Sequence, residues 1–320
     1  MSPPRGATAR PETRGGTARH LLGLARMHEA LDALALAGIE AIALKGPALA
    51  EALWPAPGSR PFTDLDLLVH ERDRVPAVAA LTAIGYRHLS LDRSLRWELA
   101  HGTTVTLVPE SGDGPPLDLH WVLIEWPRGQ RIDRIAPAEV WGRAGVAEIG
   151  GRPALVLAWE DLLIYLAVHF AVHHALAGEH WRRDLALLLE CRGAALDWAA
   201  IVERARRWRV RVALWLALDT VSRRSEVQVP RDALRRLRPR LARRTLLRLL
   251  VRGAEVRRPR LEHLIALLLI DRGRDRARAA LASVVPSPAW ARLRYGNAST
   301  VGAYRAHARR LLGITTRTIK

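Results

Sequence analysis

Hydrophobic residues follow two kinds of spacing along this chain, and the change between them predicts two domains. Up to about residue 155, helical spacing alternates with short apolar runs that fit buried strands, whereas beyond residue 158 the spacing is helical throughout. We therefore expect an α/β (α+β) domain with a mixed sheet over residues 17–155 and an all-α C-terminal domain over residues 156–320. Residues 1–16 contain prolines, arginines and paired glycines without an apolar period, which predicts a disordered leader.

The first domain is predicted to open with a helix and to continue as strands and short helices. Leucines recur at helical spacing from residue 17 until Gly38 ends the helix. A short buried strand leads into a turn at Lys45 and Gly46, and Pro47 suits the first position of the next helix. The other predicted elements are strands near 63–69, 86–91, 95–101, 103–108 and 117–124, a helix over 75–84, and a hairpin at Gly150 and Gly151.

The net charge of +18 comes almost entirely from arginine. Lysine occurs only as Lys45 and Lys320, in a chain also rich in alanine and leucine, a composition typical of GC-rich codon usage. Lys45 is therefore either a coincidence or a position that requires a compact ammonium group. Arginine runs within 204–209 and 235–244 are predicted to be solvated faces of amphipathic helices, with RNA or another anionic partner as the alternative.

Cysteine content and hydropathy indicate a cytoplasmic protein. Cys191 is the single cysteine, so no internal disulfide can form, and no signal-peptide pattern opens the chain. The longest apolar stretches are interrupted by charged residues or are too short to cross a bilayer, so we expect no membrane insertion.

Two acids alternate with leucines in the strand predicted near 63–69. Residues two apart in a strand project to the same face, so Asp64 and Asp66 point together while the leucines between them face the core. Asp118 has similar apolar neighbours in a later strand, and three carboxylates converge if the two strands are adjacent. Hard oxygen ligands of this kind suit Mg²⁺, and three are enough for two ions. The alternative is an exposed strand edge.

Carboxylates this close repel each other when no cation lies between them. Replacing either Asp64 or Asp66 by asparagine is therefore expected to abolish metal-dependent triphosphate binding or turnover and to raise the stability of the metal-free protein.

Three segments carry a resemblance to a known fold. They are Leu44–Ala50 (LKGPALA), Arg60–Val69 (RPFTDLDLLV) and Leu117–Trp121 (LDLHW), with a weaker segment at Trp181–Leu188 (WRRDLALL). Their order along the chain resembles the nucleotidyltransferase fold of the polymerase beta superfamily, and the match is closer to a family of uncharacterised bacterial nucleotidyltransferases. The resemblance covers roughly residues 20–190, and the middle segment is the most specific.

The resemblance implies an enzyme that transfers a nucleoside monophosphate from a nucleoside triphosphate such as ATP to an acceptor hydroxyl and releases pyrophosphate. It implies that the catalytic residues and metal ligands are Asp64, Asp66 and Asp118, which would hold two Mg²⁺ ions, with Mn²⁺ as a substitute. The nucleotide-binding residues would be Lys45, Gly46, Arg60, Thr63 and His120. The acceptor stays open, with a small molecule, peptide or protein favoured over RNA.

One position departs from the pattern of the wider superfamily. Relatives follow the turn glycine with a serine whose hydroxyl contacts a phosphate, whereas Pro47 offers neither a hydroxyl nor an amide hydrogen. Lys45 and Arg60 are then expected to supply the phosphate contacts. The departure keeps two alternatives open: a catalytically inactive module that binds nucleotide or a partner, and a transferase whose positive helical half holds an RNA acceptor.

Other residues have both a structural and a functional interpretation. His169 and His173 have the four-residue spacing of helical metal ligands, but no glutamate follows His169 and no cysteine lies nearby. We interpret them, together with His174, as structural or pocket-lining residues. Asp184 is expected to pair with one of the two arginines that precede it, with a role near the active site as the alternative. Trp121 is predicted to pack in the core or, alternatively, to flank a nucleobase.

Overall fold

The computed structural model has a mixed sheet in the N-terminal half, with helices on both of its faces and after it. It describes residues 11–89, 94–126, 132–225, 227–253, 259–295 and 299–311. The strands are β1 (Ala41–Ala43), β2 (Leu65–Val69), β3 (Tyr86–His88), β4 (Thr104–Pro109), β5 (Leu117–His120), β6 (Gly145–Ile149) and β7 (Arg152–Val156). The helices are α1 (Pro11–Leu36), α2 (Pro47–Leu53), α3 (Arg74–Ala83), α4 (Leu95–His101), α5 (Pro137–Trp141), α6 (Trp159–His173), α7 (Glu179–Arg192), α8 (Trp198–Arg207), α9 (Arg211–Arg224), α10 (Arg231–Leu237), α11 (Leu241–Gly253), α12 (Pro259–Leu269), α13 (Gly273–Val284), α14 (Pro288–Tyr295) and α15 (Thr300–Leu311), with a 3-10 turn at Glu71–Asp73.

The strands form one sheet in the order β3-β4-β5-β2-β1-β7-β6. β2 runs parallel to β5 and β1 runs parallel to β7, whereas the other neighbouring strands are antiparallel. The expected mixed sheet followed by helices is therefore confirmed. The pairing of β2 with β5 has the greatest consequence for function, because it sets Asp66 directly opposite Asp118.

Helices cover both faces of the central strands, which explains why β1 and β2 are buried along their whole length. On one face, Leu65 and Leu67 pack in a core shared with α1 and α3. On the other face, Leu68 joins a second core that continues through α6, α7 and α9. Asp66 alternates with Leu65 and Leu67, so it projects to the same face as Leu68, toward α6.

The second core joins the sheet to the helical half of the chain. Its buried members include Ile42 of β1 and Leu49 of α2 together with Trp215 of α9. A domain boundary near residue 155 stays a prediction. The helical half nevertheless contacts the face of the sheet from which Asp66 projects.

The strand predicted for residues 95–101 is wrong, because this segment forms helix α4. Ser94 caps the helix by accepting a hydrogen bond from the backbone amide of Trp97 (3.3 Å). Leu95 and Leu99 lie one helical turn apart and pack against the sheet core. The capping serine and this apolar pair favour a helix over an edge strand.

Helix α1 begins at Pro11, so residues 11–16, predicted as part of the leader, are helical. A Cβ atom added at Gly16 would lie 2.9 Å from the carbonyl oxygen of Gly58. Gly16 therefore permits a close backbone contact between α1 and the loop that precedes β2. Residues 1–10 lie outside the described residues.

The hairpin predicted at Gly150 and Gly151 is confirmed. These residues join β6 to β7 with φ values of +57° and +77°, a conformation that favours glycine. The strand predicted over 86–91 ends at His88, and residues 90–93 lie outside the described ranges. Among the described helices, none is long and apolar enough to cross a membrane.

Arginines of the helical half fall into two groups. Arg204 is buried in an ion pair, and the guanidinium of Arg243 donates to the carbonyl oxygen of Leu268 (2.8 Å) near the end of α12. The expectation of a solvated face is therefore wrong for these two, since each satisfies a polar group inside the fold. Arg235 and Arg236 are exposed, as expected.

Candidate active site

A tight turn between β1 and α2 forms one end of the candidate site. Gly46 has a φ of +64°, and a Cβ atom at this position would lie 3.0 Å from the carbonyl oxygen of Asp64. Both features require glycine, because a side chain would be strained and would press on the start of β2. Pro47 occupies the first turn of α2, as predicted.

The structure brings the three predicted carboxylates into one cavity of about 510 Å³. Asp66 of β2 and Asp118 of β5 are register partners on neighbouring parallel strands, and Asp64 immediately precedes β2. The two strands are therefore adjacent, which is the condition under which the sequence predicted that the three carboxylates converge. We call this side of the cavity, formed by Lys45, Asp64, Asp66 and Asp118 together with His120, which is hydrogen-bonded to Asp66, the sheet wall.

Asp66 is the most strongly held of the three carboxylates. Its Oδ1 lies 2.9 Å from the ammonium nitrogen of Lys45 and 3.1 Å from Nε2 of His120. Burial acts to raise the pKa of Asp66, but the charge of Lys45 and the hydrogen bond from His120 outweigh it and lower the pKa to about 2. Its Oδ2 is buried and has no hydrogen-bond partner among the described residues.

Asp64 and Asp118 behave in the opposite way. Burial and the repulsion of Asp66 raise the pKa of Asp64. Burial also raises the pKa of Asp118, although His120 and a hydrogen bond donated by Thr106 (2.6 Å) act against it. The repulsion expected between neighbouring carboxylates thus affects Asp64, whereas at Asp66 the attraction of Lys45 is stronger.

His120 lies among the carboxylates on the sheet wall. Its Nδ1 is 2.6 Å from the hydroxyl of Thr104, and candidate ligand atoms of Asp66, Asp118 and His120 all lie within 4.8 Å of one another. Asp64 is outside this closest group, so the geometry offers a nitrogen donor where the sequence analysis had named a third carboxylate. Burial lowers the pKa of His120, but its bond to Asp66 more than offsets this and raises it.

Lys45 is a buried cation held from both sides of the cavity. Besides Asp66, its ammonium group lies 3.5 Å from Nε2 of His169 and is hydrogen-bonded to Tyr165, both on α6. Burial opposes its charge, but Tyr165 and Asp66 raise its pKa above the usual value. The position has room for a compact ammonium group between a strand and a helix, in keeping with the only internal lysine of the chain. Contact with phosphate stays a prediction.

Arg60 and Asp184 form a buried pair that links the loop before β2 to α7. Nε and one terminal nitrogen of Arg60 each lie 2.8 Å from a carboxylate oxygen of Asp184, and the indole of Trp54 donates to the same carboxylate (2.8 Å). The predicted pairing of Asp184 with a preceding arginine is wrong. Residues one or two positions apart on a helix face different directions, and Arg182 pairs with Glu179 instead.

The opposite side of the cavity, which we call the helical wall, consists of aromatic and imidazole rings. Its residues are Tyr165, His169, His173, His174, His180 and Trp181. The rings touch in series: His169 lies against His173 and His174, and Trp181 stacks on His174 with a centroid distance of 3.3 Å. Burial lowers the pKa of His169 and of His173, so both are neutral at neutral pH. The pocket-lining interpretation of the three histidines on α6 and its end is confirmed.

Glu125 and Trp181 are among the cavity residues that sequence reasoning did not assign to the site. Glu125 accepts a hydrogen bond from the hydroxyl of Thr103 (2.7 Å), and its backbone oxygen accepts one from Nε2 of His173 (2.8 Å). Trp181 lies on the helical wall, whereas Trp121 is buried and donates to the carbonyl oxygen of Gly102 (3.1 Å). Trp121 is therefore a core residue, and no local pattern distinguished it from Trp181.

The remaining predicted nucleotide-binding residues also border the cavity. Gly46, Arg60 and Thr63 are among its lining residues, and Thr63 is exposed at its edge. Two of the three guanidinium nitrogens of Arg60 donate to Asp184, so this side of the guanidinium group binds a carboxylate of the protein.

Comparison with known proteins gives one extensive match. The model of a family described as uncharacterised nucleotidyltransferases matches residues 7–225. No protein with a curated function matches the chain. Similar solved structures include the solution structure of the antibiotic-resistance factor ANT(2'')-Ia, with 19% identity, 66% of this chain and 100% of that chain covered, and a TM-score of 0.42. A crystal structure of ANT(2'')-Ia with adenylyl-2''-tobramycin has 18% identity, covers 57% of this chain and 97% of that chain, and has a TM-score of 0.38.

Proposed function

This chain belongs to the family of uncharacterised nucleotidyltransferases, and from that premise we propose that it transfers a nucleoside monophosphate from a nucleoside triphosphate to an acceptor hydroxyl with release of pyrophosphate. The observation that carries the proposal is the pairing of Asp66 with Asp118 across β2 and β5, inside a cavity that also receives Asp64. Three carboxylates at one end of a 510 Å³ cavity suit a metal-bound triphosphate.

The donor set fits a divalent cation. Oδ2 of Asp66 is buried without a partner in the described part of the chain, an arrangement that is costly unless a ligand completes it. We propose that Asp66 and Asp118, with Asp64, hold Mg²⁺, in two ions when the triphosphate is present. Mn²⁺ is proposed as a substitute, because His120 of the same group would add a nitrogen donor, which suits Mn²⁺ better than Mg²⁺, once its Nε2 loses its proton and its bond to Asp66. The bound ion would neutralise charge on the triphosphate and lower the pKa of the acceptor hydroxyl.

The proposed reaction is an in-line displacement at the α-phosphorus. The acceptor oxygen forms a bond to this phosphorus, the bond to the oxygen that bridges to the β-phosphate breaks, and pyrophosphate leaves. Asp118 is the proposed acceptor of the proton from the hydroxyl.

We propose that the triphosphate binds to Lys45, to the turn at Gly46 and to the loop before β2. Gly46 and Thr63 border the cavity, and Lys45 holds a positive charge beside Asp66. Lys45 is proposed to contact a phosphate, since Pro47 supplies neither a hydroxyl nor an amide hydrogen. Arg60, oriented by Asp184, has one terminal nitrogen left for the same task.

The helical wall is proposed to enclose the substrates opposite the carboxylates. In this division, residues 17–155 carry the reacting groups and residues 156–320 form the cover. A small molecule, peptide or protein acceptor suits a wall of aromatic and imidazole rings better than an RNA backbone does, because an RNA backbone needs exposed cations such as arginine or lysine.

The test is incubation of the full chain with each α-labelled triphosphate, Mg²⁺ or Mn²⁺, and fractionated acceptor mixtures. We expect metal-dependent pyrophosphate release coupled to transfer of label to one acceptor. If the chain binds triphosphate but gives no labelled product with any fraction, the inactive binding module is favoured. If label moves only to RNA, the acceptor class proposed above is wrong.

A further inference from the structure

The positive charge of this protein is concentrated outside the region matched by the family. Residues 1–225 contain 27 Arg and Lys residues and 26 Asp and Glu residues, whereas residues 226–320 contain 23 and six. A preference for arginine over lysine throughout the chain does not account for the scarcity of acids in one part of it. The C-terminal part therefore has a charge pattern of its own.

The densest group of these cations lies on and just after α10. The exposed arginines of this segment are Arg231, Arg235, Arg236, Arg238 and Arg240. Asp232 is the single acid in the segment and pairs with Arg235. We call residues 231–240 the basic segment.

Helix α11, which follows directly, has an apolar side that faces solvent. At 100° per residue, Leu241, Leu246 and Leu249 fall on one side of the helix, and they are 66%, 43% and 58% exposed. Ala242 and Thr245 also fall on this side and are exposed. We call it the apolar face of α11.

The other side of α11 attaches the helix to the protein. Leu247 and Val251 are buried in the core of the helical half. Arg248 bonds both carboxylate oxygens of Asp219 (2.7 and 3.0 Å), and Arg243 bonds carbonyl oxygens at the end of α12. The buried contacts of α11 therefore lie on this side, whereas the apolar face is exposed in the described part of the chain.

We propose that the basic segment and the apolar face of α11 bind the surface of an anionic membrane. Leucines on the exposed side of a helix enter the boundary between headgroups and acyl chains, and neighbouring arginines bind lipid phosphates. The two features are consecutive in the chain, because α11 begins directly after the basic segment. The patch would lie on the bilayer without crossing it.

Two other partners fit the patch less well. Single-stranded RNA is bound by aromatic stacking together with cations, and residues 231–253 contain no aromatic side chain. A second copy of the chain would bring two strongly positive segments together, which is unfavourable. An anionic bilayer satisfies both the leucines and the arginines.

The test is flotation of the full chain with vesicles of phosphatidylcholine alone or of phosphatidylcholine containing phosphatidylglycerol. We expect partition to the anionic vesicles only, weakened by salt. The Leu246→Glu/Leu249→Glu variant should lose partition by more than about tenfold, because two apolar anchors become anions. The Arg235→Ser/Arg236→Ser variant should lose about fivefold per arginine.

Leu36→Glu is the matched control, since Leu36 is 90% exposed at the end of α1 and should leave partition unchanged. Thermal melts of all variants check that the fold is intact. We expect it to be intact, because the substituted side chains are exposed. Absence of partition to anionic vesicles in the wild-type chain would overturn the proposal. So would equal partition of the Leu246→Glu/Leu249→Glu variant, or tight RNA binding or dimerisation lost in that variant.

Discussion

The two walls of the cavity differ in charge and in the elements that build them. The sheet wall holds Asp66, Asp118 and Lys45 on or beside strands whose register is fixed by neighbours on both sides. The helical wall consists of rings, and burial lowers the pKa of His169 and of His173, which favours the neutral form of these two imidazoles. The difference indicates that the proposed reacting groups depend on strand register, whereas the helices supply the shape of the opposite wall.

Asp66 should be the most sensitive position of the sheet wall. Asp66→Asn removes a metal-ligand charge at the site of the proposed reaction, and we expect metal-dependent pyrophosphate release to fall by about a thousandfold or more. Asp113→Asn, on an exposed loop, is the control and should leave the rate unchanged. Full activity of Asp66→Asn would remove the sheet wall from catalysis.

Lys45 should matter for stability as well as for binding. Lys45→Ala removes the cation beside the buried Asp66 and leaves this carboxylate with the hydrogen bond from His120, so the free energy of unfolding in urea should fall by about 3 kcal/mol. Triphosphate affinity, measured by calorimetry, should fall by about 1.5–3 kcal/mol. Lys45→Arg should rescue both only in part, because a planar guanidinium is too large for the gap between β1 and α6.

Adding Asp66→Asn to Lys45→Ala separates two accounts of Lys45. If the two charges stabilise each other, the free energy of unfolding should fall less in the double variant than the two single losses added together. Equal stability of Lys45→Ala and the wild type would mean that this lysine is a solvated residue with no part in the site.

The buried pair of Arg60 and Asp184 should contribute less to the free energy of unfolding than the ion pair of Lys45 and Asp66. Asp184→Asn breaks the buried pair with Arg60 and should lower the free energy of unfolding by about 2 kcal/mol. Glu179→Gln removes the exposed partner of Arg182 and should change it by less than about 0.5 kcal/mol. Similar losses in the two variants would contradict a special role for the buried pair.

Replacement of Asp64 should have the smallest effect on the stability of the metal-free protein, and this effect should be an increase. Its pKa is raised in the folded protein, so its ionisation destabilises the fold at neutral pH. Asp64→Asn should therefore raise the melting temperature of the metal-free protein at pH 7. The gain should disappear as the pH falls through the folded pKa, where the wild-type carboxyl is protonated. A lower melting temperature at pH 7 would mean that Asp64 is not repelled by Asp66.

Much of the sheet wall could be predicted from the sequence. The alternation of acids with leucines at 64–69, and its repetition at 117–120, determines which side chains share a face of the sheet. The rarity of lysine also pointed to Lys45. These signals are local, because strand periodicity acts over a few residues.

The helical wall and its links were harder to predict. Arg60 and Asp184 are 124 residues apart, and nothing near either residue indicates the other. The assignment of His120 to the nucleotide also missed its contact with Asp66, since that contact depends on the register of β2 against β5. Contacts of this kind follow from tertiary packing and leave no local pattern.

The most direct measurement of the central claim is Mn²⁺ binding by electron paramagnetic resonance, with and without a nucleoside triphosphate. In the wild-type chain we predict ions bound at the sheet wall, with tighter binding when the triphosphate is present. In Asp66→Asn we predict loss of that binding, whereas Asp113→Asn should match the wild type. Undiminished Mn²⁺ binding in a folded Asp66→Asn variant would contradict the assignment of Asp66 as a metal ligand. It would also contradict the reaction proposed at the sheet wall.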